Sequence, residues 1–147
     1  MSSRERRRLL LRNDLAELER LTRWLEGAIQ HDLPPDVSFA VQLCLEEAVA
    51  NVIMHGGGSG DRLEIAVEVE RRDGTLVASI EDNGRQFDPT QAPARPRPTS
   101  LEDAKVGDLG IHLMRSFANG MHYERRDGRN RLTLRFLAPH AALIPSQ

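Results

Sequence analysis

Leu45-Glu46-Glu47-Ala48-Val49-Ala50-Asn51-Val52-Ile53-Met54-His55 carries two chemistries on one stretch of chain. The apolar residues recur as in a helix, yet a carboxylate, an amide and an imidazole follow one another every fourth residue, which sets Glu47, Asn51 and His55 on one face. An amide flanked by Ala48-Val49-Ala50 and Val52-Ile53-Met54 is expected to be at least partly buried, and burying it unpaired costs ~1–3 kcal/mol. Spacing leaves two readings open: a hydrogen bond between helices or a solvated stripe, or a site at which something binds the amide.

Working outward, residues 13–30 place Leu15, Leu18, Leu21, Trp24, Leu25 and Ala28 at three- and four-residue intervals, an amphipathic helix capped by Asn13 or Asp14. Leu33-Pro34-Pro35-Asp36 stops that helix and starts the one quoted above, which Gly56, Gly57, Gly58 and Gly60 end. Leu63-Ile65-Val67-Val69 and Leu76-Ala78-Ile80 then alternate around Asp73-Gly74, a hairpin signature. Residues 87–106 hold Pro89, Pro93, Pro96 and Pro98 and read as an irregular loop. A helix over 109–118 follows. Two short strands, near 121–125 and 131–136, flank Asp127-Gly128. The basic run Arg4, Arg6, Arg7 and Arg8, interrupted by Glu5, reads as a solvated end or an edge strand. This order predicts an α+β two-layer sandwich, with helices on one face of a mainly antiparallel mixed sheet.

Composition narrows the function. At 147 residues the chain is expected to form one domain. The 20 basic residues include a single Lys, Lys105, which follows Ala104 and not a Gly, so no Walker A loop is possible. A net charge of −2 gives no electrostatic reason to expect nucleic acid. The lone Cys44 cannot form an internal disulfide, which fits a reducing compartment. No window approaches 18 uncharged apolar residues, so a cytoplasmic protein without a membrane partner is expected. Cys44, His55, His112 and His122 show neither an H-E-x-x-H pattern nor paired Cys spacing, which argues against metal catalysis.

Two further segments break local rules. Ser79-Ile80-Glu81-Asp82-Asn83-Gly84-Arg85-Gln86-Phe87 is a strand ending in Asp-Asn-Gly, but the Pro-rich loop follows it in place of a partner strand. A carboxylate there, beside a Gly that admits close backbone approach, can accept a hydrogen bond from a ligand amine; a plain turn is the alternative. Val106-Gly107-Asp108-Leu109-Gly110-Ile111-His112 brings two glycines into a helix N-terminus, able to face an anion or to act as a hinge.

The order and spacing of these three segments resemble the N box, D-x-G box and glycine-rich lid box of the Bergerat-fold ATP-binding superfamily, over roughly residues 36–136. Glu47-Ala-Val-Ala-Asn51 with His55-Gly, Asp82-Asn-Gly with Phe87-Asp-Pro, Gly110-Ile-His-Leu-Met-Arg-Ser-Phe and Asn130-Arg-Leu-Thr-Leu look most like the anti-sigma-factor serine kinases of bacterial partner-switching systems. The resemblance implies Mg-ATP bound between the helices and a lid over about 87–108. Glu47 would then be the general base for the attacking hydroxyl, and Asn51 would hold Mg²⁺ against the phosphates. Asp82 would accept from the adenine amine, with Gly84 letting the base approach the backbone. Gly107 and Gly110 would wrap the phosphates, with Lys105 and Arg85 as extra phosphate contacts. His55, Phe87, Leu109, Ile111 and Thr133 complete the implied nucleotide-binding set, the second adenine contact falling to Asn130 or Thr133. The chain departs from the family pattern at three places: Gln86 replaces the second Gly of D-x-G-x-G, Asp108 interrupts the lid glycines, and Arg129-Asn130 stand where Gly-Thr is common.

The implied activity is a serine/threonine kinase that phosphorylates a STAS anti-anti-sigma factor and, as a homodimer, binds a sigma factor. The alternative is a non-catalytic anti-sigma protein with a structural nucleotide or none. A module serving a response regulator would be a third reading, but no phosphoacceptor His hairpin precedes the domain in this sequence.

Overall fold

The computed structural model describes residues 5–29, 33–56, 63–91 and 108–138, without the side chains of 108–110. Strand β1 (Glu5–Arg12) leads to helices α1 (Glu17–Ile29) and α2 (Pro35–His55), then to strands β2 (Glu64–Arg72) and β3 (Thr75–Asp82). A short 3₁₀ turn (Pro89–Gln91), helix α3 (Asp108–Phe117) and strands β4 (Gly120–Arg126) and β5 (Arg129–Leu137) complete the order. The five strands run β1-β2-β3-β5-β4 across the sheet. The sheet, expected to be mainly antiparallel, is antiparallel at each of these pairings. Tight hairpins explain two of the four pairings, since two-residue connections can only join antiparallel neighbours.

Both hairpin turns fall at the Asp-Gly pairs. Asp73 has φ 51°, and Asp127 and Gly128 have φ 52° and 75°, the left-handed backbone of the turns that match strand twist. Because each turn holds two residues, it fixes the register: Arg72 faces Thr75, and Arg126 faces Arg129. Alternation then sends Ile65, Val67 and Val69 of β2, Leu76, Ala78 and Ile80 of β3, and Leu132, Leu134 and Phe136 of β5 to one face, where they are buried. Leu21, Leu25 and Ile29 of α1, Val41, Cys44, Leu45, Ala48 and Val49 of α2, and Met114 of α3 cover that face in one continuous core.

Of the basic run, Arg6, Arg7 and Arg8 fall in the edge strand β1, where Arg6 donates to Glu68 of β2 at 2.9 Å, and Arg4 lies outside the described residues. Helix α1 starts at Glu17 and not at the expected residue 13, because β1 pairs as far as Arg12 and Asp14 closes a turn of its own. The Asp14 carboxylate accepts from Ala16 N at 2.9 Å, and its carbonyl accepts from Glu17 N at 2.9 Å. Helix α2 begins with Pro35 at its first turn, where a missing N–H costs nothing. Its 21 residues are long and apolar enough to cross a membrane, a property that the count of uncharged runs passed over. Here Ala40, Val41, Cys44, Leu45, Ala48 and Val49 pack into the core that α2 shares with α1, α3 and the sheet, while Phe39 and Met54 stay exposed.

Candidate functional site

The helix layer and the sheet part where β3 and β5 end beside the C-terminal half of α2. A pocket open to solvent lies there. Ala48, Asn51, Val52 and Gly56 of α2 form one wall, and Ile80, Asp82, Asn130 and Leu132 of the sheet form the other. Arg85, Phe87, Pro89, Met114 and Tyr123 close its ends. A concave, mostly apolar lining with a few convergent polar groups is what a small organic ligand requires.

Two glycines bring the walls together. Gly56 ends α2 by donating its N–H to Val52 O at 2.7 Å, and its carbonyl then accepts from Arg85 N at 2.8 Å. Gly84 sits so close to that carbonyl that a Cβ there would lie 2.2 Å from Gly56 O. No side chain fits in that space, so the D-x-G loop can reach the end of α2 only as glycine. Arg125 of β4 donates to the Gly84 carbonyl at 2.8 Å and fixes the loop from the other side. His55 and Phe87 stack beside this junction, with ring centroids 5.4 Å apart and planes 23° from parallel.

On the sheet side, Asp82 is 3% exposed and Asn130 5%. They are partners in the β3–β5 register, which points both side chains to the helix face. Asp82 Oδ1 accepts from Gly84 N at 2.8 Å and from Asn130 Nδ2 at 3.0 Å. Asn130 Nδ2 also donates to the Arg85 carbonyl at 2.8 Å, while its Oδ1 accepts from Phe87 N at 3.3 Å and from the Tyr123 hydroxyl. Burial pushes the Asp82 carboxyl above its ordinary range; the Asn130 and Gly84 hydrogen bonds and the charges of Arg125 and Arg129 pull against that rise.

The α2 side is different in kind. Asn51 is 4% exposed, and its Nδ2 is buried with no hydrogen-bond partner among the described residues. Glu47, one turn earlier, is half-buried; burial and then the neighbouring Glu46 both raise its carboxyl above the ordinary range. Cys44 is a buried thiol pushed up to about 11 by burial and by Glu47, so it stays protonated and inert near neutrality. Glu46 faces α1, where Thr22 Oγ1 donates to it, and so ties the two helices together.

Of the residues singled out in the sequence, the structure brings Asn51, Asp82, Arg85, Phe87 and Asn130 into the pocket lining, with Gly84 and His55 against its rim. Glu47 lies one helical turn from Asn51, outside the lining. Ile111 is half-buried against the core, also outside the lining. Lys105, Gly107 and most of the expected lid over 87–108 lie outside the described residues; Leu109 and Gly110 are placed as backbone in α3. Thr133 requires a correction. It pairs with Ser79 on the face of the sheet away from the helices, because strand alternation carries Leu132 and Leu134 inward and the residue between them outward. Asn130 is the β5 polar residue in the pocket. Tyr123 and Arg125 were not anticipated, although the Asp127-Gly128 turn already dictates that they oppose Leu132 and Asn130.

Comparison with known proteins agrees with this geometry. The chain is 38% identical over 112 residues to the serine/threonine-protein kinase BtrW of Bordetella bronchiseptica, covering 76% of this chain and 79% of that protein. It is 32% identical over 84 residues to an anti-sigma F factor of Clostridium botulinum, covering 57% of this chain and 59% of that protein. The fold is shared with the histidine kinase domain of the Erythrobacter litoralis EL346 blue-light activated histidine kinase, with a TM-score of 0.54 at 14% identity, over 83% of this chain and 63% of that one. Residues 11–136 match the histidine kinase-like ATPase domain, and with the buried Asp82, the Gly56–Gly84 junction and the Asn51 helix in place, the chain belongs to that family.

Proposed function

We propose that this chain binds Mg-ATP in the pocket between α2 and the ends of β3 and β5, and transfers the γ-phosphoryl group to a serine or threonine of a STAS-domain anti-anti-sigma factor. The observation that carries the reading is the pairing of two buried groups across one pocket: a carboxylate, Asp82, whose described hydrogen bonds both fall on Oδ1, and an amide, Asn51, with an unpartnered Nδ2. The free Asp82 oxygen suits an adenine amine. The Asn51 amide needs a polar partner, and rotation about its last side-chain bond exchanges N and O, so it can also offer an oxygen to a hard cation. Among the described residues no group of three or more His, Cys, Asp or Glu gathers, so a magnesium ion would be held by Asn51 and by the phosphate oxygens themselves. Bound there, the ion would supply charge neutralisation for phosphoryl transfer.

Glu47 would orient the acceptor hydroxyl and take its proton. Burial, and then the neighbouring Glu46, raise this carboxyl above its ordinary range, which makes its ionised form a stronger base than an ordinary carboxylate. Gly107, Gly110 and Lys105 would close over the phosphates, with Leu109 and Ile111 beside them, and His55 and Phe87 would flank the nucleotide. The chain would also act as an anti-sigma factor by binding a sigma factor, a reading supported by the relative named as an anti-sigma factor. A cytoplasmic homodimer belongs to the same proposal.

Calorimetry with Mg-ATP, followed by labelled-ATP transfer to a STAS protein encoded nearby, tests the proposal. Binding with transfer supports it. Binding of the partner without any heat or melting shift at millimolar ATP would leave the non-catalytic anti-sigma reading in its place.

A further inference from the structure

Asn130 uses its amide completely. A primary amide has two N–H donors and two acceptor lone pairs on oxygen. Nδ2 spends its donors on Asp82 Oδ1 and the Arg85 carbonyl, and Oδ1 accepts from Phe87 N and the Tyr123 hydroxyl. The assignment cannot be reversed, since exchanging N and O would set oxygen against the carboxylate and the carbonyl, and NH₂ against the Phe87 N–H. Asn130 therefore has nothing left to offer a ligand, although it lines the pocket.

Its effect falls on Asp82. With Gly84 N and Asn130 both on Oδ1, Oδ2 is left as the acceptor. The Tyr123 hydroxyl reaches Asn130 from β4, across the register that also pairs Arg125 with Asn130. We infer that Asn130, held by Tyr123, is a positioning residue that orients Asp82 to present Oδ2 alone, so that preference for a purine bearing an exocyclic amine resides in the Tyr123–Asn130–Asp82 chain without Asn130 touching the base. The inference rests on the ATP reading above. It is supported by the opposition between burial, which raises the Asp82 carboxyl, and the Asn130 hydrogen bond, which lowers it. Removing that bond makes the carboxyl harder to ionise as well as freer to turn.

The test compares ATP with purine riboside triphosphate, which lacks the amine, by calorimetry on the full chain and on the Asn130→Ala and Tyr123→Phe variants. The wild-type chain is expected to prefer ATP by about tenfold, the scale of one hydrogen bond to a charged acceptor. Asn130→Ala should bring the ratio near one by weakening ATP and sparing the analogue, with Tyr123→Phe, which removes a single oxygen, in between. Equal weakening of both nucleotides, or an unchanged ratio, overturns the inference, because a merely structural role moves both alike. Carboxyl ¹³C titration of Asp82 in the nucleotide-free proteins separates the two levels of the argument. A wild-type chain that takes up neither nucleotide ends the ATP reading, whereas an Asp82 titration unmoved by Asn130→Ala, with Arg125 and Arg129 in place, ends this one.

Discussion

The two walls of the pocket bury polar groups to a similar depth and treat them in opposite ways. On the sheet wall, Asp82 and Asn130 sit in a network that includes Gly84, Arg85, Phe87 and Tyr123. On the α2 wall, the Asn51 Nδ2 has no partner among the described residues, and one turn earlier, half-buried and outside the pocket lining, Glu47 has its carboxyl raised by both influences on it. A satisfied network holds one geometry before any ligand arrives; an unsatisfied amide and an uncompensated carboxylate hold free energy in reserve for one. The sheet side therefore acts as a template and the helix side as a group completed by what binds. The first should govern which nucleotide enters, and the second what happens to it.

The largest effect expected from this division is on chemistry. Glu47→Ala should lower phosphoryl transfer by about 10²–10⁴-fold, the usual worth of a positioned general base, while ATP affinity changes by no more than about twofold. Steady-state transfer and calorimetry on the same preparation check both. In the unaltered protein, transfer should rise with pH through the raised Glu47 carboxyl, because the ionised form is the base. Loss of affinity in step with loss of transfer would mean that the two walls are not divided in this way.

Asp82→Asn should act in reverse, weakening ATP by about 10–100-fold, since a neutral acceptor replaces a charged one. The pH dependence follows from the raised carboxyl. The folded, nucleotide-free chain keeps Asp82 protonated at pH values where an ordinary Asp has ionised, so its contribution to stability is present below the ordinary Asp range and fades as pH rises through the raised value. ATP binding needs the ionised form and should strengthen over that same window. Asp82→Asn removes both trends, and near neutral pH it should melt no lower than the parent. Melting curves across pH, with and without ATP, test the sign of each.

How much of this was legible in the sequence divides along similar lines. The hairpins, and with them four strands, follow from Asp73-Gly74 and Asp127-Gly128 because a two-residue turn fixes register. The same arithmetic with the inward run Leu132, Leu134, Phe136 places Asn130 in the pocket and Thr133 behind the sheet, so that correction was recoverable from alternation alone. The start of α1 was not, since whether Asp14 caps the helix or closes a separate turn depends on how far β1 pairs. Spacing put Glu47, Asn51 and His55 on one face; that Asn51 Nδ2 is unpartnered, and that Asn130 is saturated, depends on tertiary contacts, three of the four at Asn130 reaching groups more than 40 residues away. Periodicity carries no such information.

Gly84→Ala tests the joint between the walls. A Cβ at 2.2 Å from Gly56 O cannot be accommodated by a side-chain rotation, because the atom it meets is backbone. Stability should fall by about 1–3 kcal/mol as the loop moves off the end of α2. The Arg85–Gly56 hydrogen bond should go with it, visible as faster amide exchange at Arg85. Unchanged exchange at Arg85 in a folded variant would show that the loop holds its place without the close approach.

The smallest expected effect on the free protein is the most discriminating. Removing a buried, well-paired amide ordinarily costs stability, but Asn51 already bears the cost of an unpaired Nδ2. Asn51→Ala should therefore change the free energy of unfolding by less than about 1 kcal/mol, the small cavity left behind being offset by the loss of an unsatisfied donor. Its effect should appear only with ligand. If the Asn51 amide meets a magnesium ion, the parent protein binds ATP more tightly with Mg²⁺ than with a chelator, and the variant should lose most of that difference while keeping the weaker, metal-free affinity. A large drop in stability would instead show that Asn51 is paired in the free protein, and the contrast between a template wall and a wall completed by its ligand would fail at the residue on which it depends most.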